Sequence, residues 1–145
     1  MRLDAQALFS DAQAVTAAAA STNYIDLEAA ARWIGTGNKL EIHVGCDVAM
    51  TDSGSDSTLA VALEQDDNTS FSSATAIQTI GTFGATSAAG TTLSAIIDMD
   101  AVTERYIRLY YTPANGNLST GSFTAAIVID SDQWTPKADN VTITR

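Results

Sequence analysis

The chain has a single histidine, His43, and catalysis by a Ser-His-Asp type arrangement needs that imidazole beside a nucleophile and an orienting acid. His43 lies in an alternating run, Lys39 to Val48, in phase with Glu41 and Gly45 and opposite the apolar Ile42 and Val44. This phase predicts an outward strand position or an interface residue rather than a catalytic base. The one cysteine, Cys46, cannot form an internal disulfide, and it shares a face with Leu40, Ile42, Val44 and Val48, as a small buried hydrophobe does. One His and one Cys exclude a zinc site of ordinary composition within a single chain. Oxygen ligands for calcium are available at Asp52, Asp56, Asp66 and Asp67, but the EF-hand pattern fails: counted from Asp52, its third position is Gly54 and its twelfth Leu63. These segments read as solvated loops. Gly35-Thr36-Gly37 lacks both the third glycine of a dinucleotide fingerprint and the lysine of a P-loop, and reads as a turn. No catalytic, metal or cofactor-binding set is expected, and the chain is not expected to be an enzyme.

Binding is left as the kind of function to look for. With 17 acidic against 7 basic residues the formal net charge is -10, which excludes a phosphate backbone as partner because counterion release needs clustered Lys and Arg. No apolar run is long enough to span a bilayer, and the start MRLDAQALF has no apolar signal region, so neither membrane nor secretion is indicated. Two of the few basic residues, Arg105 and Arg108, stand close together on one strand. They either balance nearby carboxylates or contact an acidic partner or a second copy. Tyr106, Tyr110, Tyr111, Trp33 and Trp134 are the rings available for a sugar platform, although most aromatics serve as core or interface anchors.

The elements that carry these residues are mainly β. Glu104 to Thr112 and Gly121 to Asp130 are rich in β-branched and aromatic residues, and the Asn115-Gly116 dipeptide between them predicts an antiparallel hairpin. In the first run Tyr106, Arg108 and Tyr110 face one way and Ile107, Leu109 and Tyr111 the other. In the second, Phe123, Ala125, Ile127 and Ile129 share one face while Ala126 and Val128 on the other are also apolar, the signature of a central strand covered on both sides. Further strands are predicted at Tyr24 to Leu27, Lys39 to Val48, Thr58 to Glu64, Ala76 to Thr86 with a bend at Gly81 and Gly84, and Thr91 to Met99. Seven or eight strands in 145 residues predict one all-β domain, a two-sheet antiparallel sandwich or jelly roll. Its ends are an N-terminal segment, residues 1–23, and a C-terminal strand or arm, 131–145. For 5–20 the alanines favour helix while Val15, Thr16 and Ser21-Thr22-Asn23 fit extended chain, so the residues alone leave both open.

LFSDAQAVTAAAASTNYIDL (Leu8 to Leu27), LAVALEQDDNTSFSSATAI (Leu59 to Ile77), RYIRLYY (Arg105 to Tyr111) and TGSFTAAIVID (Thr120 to Asp130) resemble the jelly-roll cement, or decoration, proteins of short-tailed bacteriophages, of the type found on Bordetella phage capsids. The resemblance spans nearly the whole chain and rests on core and turn residues. It implies an extended segment from Leu8 to Leu27. It also implies a structural virion protein, made in the host cytoplasm, that binds the capsid exterior and bridges major capsid proteins. The expected oligomer is a homodimer in preference to a trimer, and a carbohydrate-binding jelly-roll module is the alternative. Contacts with the capsid or sister copies are expected at the ends and the arginines: Leu8, Phe9, Val15, Arg105, Arg108, Trp134 and Arg145.

Overall fold

The computed structural model describes residues 5–30 and 39–129. Among the described residues a short 3-10 turn at Ala5–Ala7 is followed by nine strands: β1 Leu8–Ala14, β2 Ala19–Ala20, β3 Ile25–Asp26, β4 Leu40–Thr51, β5 Thr58–Asp66, β6 Thr75–Phe83, β7 Thr92–Ile96, β8 Tyr106–Ala114 and β9 Thr120–Ile129. All strand pairings among the described residues are antiparallel, and they fall into two layers. One sheet has the order β1-β9-β4-β7; the other has β2-β8-β5-β6, with β3 also paired to β8. The architecture is an antiparallel sandwich of jelly-roll type, and residues 8–26 are strands and connections rather than helix. The predicted 131–145 arm, with Trp134 and Arg145, lies outside the described residues.

Alternation builds the core. Ile42, Val44 and Cys46 of β4 and Phe123 and Ala125 of β9 point inward from one sheet, and Leu59, Val61 and Leu63 of β5 with Ile107, Leu109 and Tyr111 of β8 point inward from the other. The layers meet at an aromatic contact: Phe123 stacks on Tyr111 at 5.9 Å between centroids and packs tilted against Phe83 at 5.1 Å. The buried Tyr111 hydroxyl meets Ser10 Oγ of β1 at 2.9 Å, and Ser10 in turn donates to Gln13 Oε1 at 2.8 Å. Burial pushes the Tyr111 phenol up to about 12, so it stays neutral in the core.

Both open seams of the sandwich are stitched by a glutamine. Gln13 on β1 donates through Nε2 to the Ala20 carbonyl at 2.8 Å and accepts from the Thr22 N–H at 2.9 Å, tying one sheet's edge to the other. On the opposite side Gln78 of β6 donates to the Ile96 carbonyl at 2.8 Å and accepts from the Asp98 N–H at 3.1 Å. Each side-chain amide offers a donor and an acceptor, as a backbone peptide does, and so continues hydrogen bonding where no strand bridges the corner.

Three expectations are corrected. The β8 and β9 runs do not form a hairpin, because they belong to different sheets. Asn115 and Gly116 do adopt positive φ (64° and 124°), but the next residues carry the chain across the sandwich. Leu118 is buried there, its N–H donates to the Thr16 carbonyl, and Ser119 N–H donates to Thr51. A turn dipeptide fixes local backbone and does not choose the strand's partner. Next, Val48 does not share the buried face of Cys46: a register shift between them turns Val48 outward, 53% exposed. Finally, Phe9 and Val15, expected as partner contacts, are fully enclosed (0% and 1% exposed) in the core cluster. A bulge in β1 between Leu8 and Ser10 breaks simple alternation, and both apolar side chains find the interior of the sandwich rather than a neighbour.

Candidate docking face

The solvent side of the five-stranded sheet carries the residues best suited to recognition. On β8, Tyr106, Arg108 and Tyr110 stand in a row opposite Asp66, Glu64 and Ala62 of β5, as alternation requires. Arg108 donates through Nε and Nη2 to Glu64 Oε2 at 3.1 and 3.0 Å, and its guanidinium lies 4.2 Å from the centre of the Phe71 ring and 5.6 Å from that of Tyr110. Just before the strand, Arg105 forms a bidentate pair with Asp26 of β3 at 2.7 and 2.8 Å and lies 5.0 Å from the Tyr106 ring centre. Tyr24, 46% exposed, meets Tyr106 edge-on at 5.6 Å and Phe71 at 6.0 Å. Cations and rings thus alternate across one face, each arginine fixed by a carboxylate and an aromatic plane.

Electrostatics keep this arrangement charged. The Arg105 hydrogen bond holds the Asp26 carboxyl below its ordinary value against the opposing effect of desolvation, and the Glu28 N–H assists. The same bond pushes the Arg105 guanidinium up. Both expected arginine sites therefore sit on this face, and both are already paired with the chain's own carboxylates. Arginines held in this way present planar surface and a fixed direction more than free charge. Leu8, half-buried, adjoins the face through a groove that it shares with Gln6, Thr22, Asn23 and Tyr24.

Tyr24 was not among the expected contacts, nor was Phe71 foreseen, a ring that is itself buried and serves the face by backing Arg108. Phe71 stands alone in the polar Gln65 to Ser73 segment, and an isolated ring in a solvated loop was the signal that could have found it. Its backbone is left-handed (φ 51°), and the loop is pinned by Asp66, which is buried and accepts from the Ser73 N–H at 2.8 Å, the Asn68 amide at 2.8 Å and the Asn68 N–H at 3.3 Å. Desolvation is the largest single influence on this carboxyl and acts upward, but the hydrogen-bonding interactions with Ser73, Asp67 and Asn68 together outweigh it and hold its pKa below the usual 3.8. Its stabilising contribution is complete above the unfolded value and is lost as pH falls through the lower folded one. An Asp66→Asn variant is expected to melt below the wild type at neutral pH, with the gap closing below about pH 4. Thermal melts of both proteins across acid pH check this; a gap constant down to pH 2 would contradict it.

The other acidic loop is likewise used locally. Asp52 Oδ2 accepts from the Gly54, Asp56 and Ser57 N–H groups and the Ser57 hydroxyl at 3.0 to 3.4 Å. Cys46 is buried, donates to the Val48 carbonyl at 3.2 Å, and has its thiol pushed up by burial. His43 lies half-buried on the outer side of β4, between Ser94 of β7 and Ala126 of β9, with Nδ1 enclosed and without a hydrogen-bond partner among the described residues. The outward phase read from the sequence is therefore the phase observed.

No curated protein matches this chain. The family model Bbp16, however, matches residues 9–127, a span running from the first strand of the sandwich through nearly all of the last. The chain belongs to the Bbp16 family of Bordetella phage proteins and is a phage structural protein.

Proposed function

We propose that this protein is a cement, or decoration, protein: it binds the outer surface of an assembled phage head, bridges neighbouring major capsid proteins and so helps the shell resist internal pressure. It acts without catalysis, as a homo-oligomer with the dimer favoured, on the exterior of a virion assembled in the host cytoplasm. The observation that carries this reading, beside family membership, is the Tyr24, Tyr106, Arg108, Tyr110 face on an otherwise acidic sandwich. Tyrosine and arginine are the residues most enriched where protein contacts concentrate their energy, and here their conformations are fixed before binding. A net charge of -10 also suits a position outside the shell, away from packaged DNA. The glycan-binding alternative calls for a flat ring platform, whereas Tyr24 and Tyr106 stand nearly perpendicular at 88°.

The test is co-sedimentation of purified protein with undecorated heads at low salt. Wild type is expected to pellet with the shells in fixed ratio. Tyr106→Ala should bind about 30-fold more weakly, roughly 2 kcal/mol, as expected of a central hot spot, with its melting temperature little changed. Wild-type protein that stays in the supernatant at every ratio would remove the reading.

A further inference from the structure

The opposite face of the sandwich holds a second feature, a pocket of about 450 Å³ on the outer side of the four-stranded sheet, lined by Asp11, His43, Gly45, Asp47, Thr92 and Thr124 among others. Three irregularities create it. In β1 the register shifts between Ser10 and Gln13, and Ala12 takes a left-handed backbone (φ 45°), which a non-glycine residue adopts only under constraint. In β4 the register shifts between Cys46 and Val48. Between these strands Thr124 of β9 accepts from the Ala12 N–H at 3.0 Å and donates to Asp47 Oδ2 at 2.7 Å, fixing one carboxylate at the rim. The floor is open because glycine stands there: a Cβ on Gly45 would find only the Thr124 carbonyl, at 3.9 Å, and one on Gly90 nothing within 4 Å.

Among the described residues the charges at this pocket are of one sign. Asp11 and Asp47 are exposed, no described Lys or Arg lines the walls, and the Asp11 side chain makes no hydrogen bond or ion pair with another described residue. We propose that the pocket is a socket for one basic side chain, lysine or arginine, of the shell protein. This rests on the cement reading and deepens it. A bridging protein needs two contact surfaces, and the socket lies on the layer opposite the Tyr and Arg face. The apolar walls and the volume fit the aliphatic stem of a long side chain, with its charged end between the two carboxylates.

The experiment measures binding of the full chain to purified undecorated heads. Gly45→Leu fills the socket without altering charge, and Asp11→Asn with Asp47→Asn removes the charge without filling it. Each is expected to weaken shell binding at least about tenfold at low salt, and the charge variant is expected to lose most of the salt dependence. Asp56→Asn with Asp100→Asn, the same charge change at exposed carboxylates elsewhere, should bind within about twofold of wild type. Melting temperatures of the free proteins show whether each variant folds, and the two socket variants perturb different atoms, so misfolding of one leaves the other decisive. Socket variants that bind like wild type overturn the socket and leave the cement function standing, whereas wild type that never joins shells overturns both. If Gly45→Leu changes the mass of the free oligomer but not shell binding, the pocket belongs to a sister copy and the shell assignment is overturned.

Discussion

Phe123→Ala is expected to cost about 3–5 kcal/mol of folding free energy, the largest effect of any single truncation proposed for this chain. The ring is completely buried and projects from the central strand of one sheet onto Tyr111 and Phe83 of the other, so it is the main aromatic pin between the layers. Hydrogen bonding on both sides of β9, to β1 and to β4, keeps the backbone from collapsing into the space the ring vacates. The loss therefore includes a cavity term in addition to transfer of the ring to water. In a domain of ordinary stability, about 5–15 kcal/mol, this is a fifth or more of the total, and the melting temperature should fall by roughly 10 °C. Ile127→Ala, on the same strand but half-buried, should cost clearly less. Urea unfolding of the two variants beside wild type makes the comparison; equal midpoints for Phe123→Ala and wild type would mean that the sheets are not joined through this ring.

Gln65→Leu should have the next largest effect, about 2–4 kcal/mol, although it replaces a polar side chain by an apolar one of similar size at a nearly buried position. Gln65 points inward from the end of β5 and holds the segment leading into β8. Its Oε1 accepts from the Thr103 and Glu104 N–H groups at 2.8 and 3.1 Å, and its Nε2 donates to the Ala101 carbonyl at 3.2 Å and the Thr103 hydroxyl at 3.3 Å. Leucine keeps the bulk and leaves those backbone groups without their partner, which costs more than removing both members of a pair would. The segment also buries Val102 and leads directly to Arg105 and Tyr106, so its loosening should reach the docking face. Hydrogen exchange is the discriminating measurement: the Thr103 and Glu104 amides should lose protection more than amides in the middle of β5. Unchanged protection at those two amides would show that Gln65 is not the clamp.

The docking face and the pocket differ in how far they could be read from the residues. The row Tyr106, Arg108, Tyr110 is legible because alternation needs only the local period of a strand, and the same rule placed His43 outward and Ile42 and Val44 inward. The carboxylates that fix the two arginines were not legible. Asp26 and Glu64 lie 79 and 44 positions away along the chain, and only strand pairing brings them within reach. Phe71 reaches Arg108 from a loop whose fold depends on a buried carboxylate, a contact that no periodic pattern announces. The pocket depends on two shifts of register, which no alternation rule contains.

By itself the sequence determined the all-β class, the positions of the long strands, and which side of most of them is apolar, because these follow from side-chain periodicity within a few neighbouring residues. It also determined that the surface is acidic and that the chain has one thiol and one imidazole. Tertiary structure alone decided that β8 and β9 part into different sheets, that Phe9 and Val15 serve the core, and that Val48 turns to solvent. Those outcomes depend on which distant edge satisfies a strand's hydrogen bonds and on where a bulge breaks the count. Both are settled by the free energy of the whole packed sandwich rather than by any local preference.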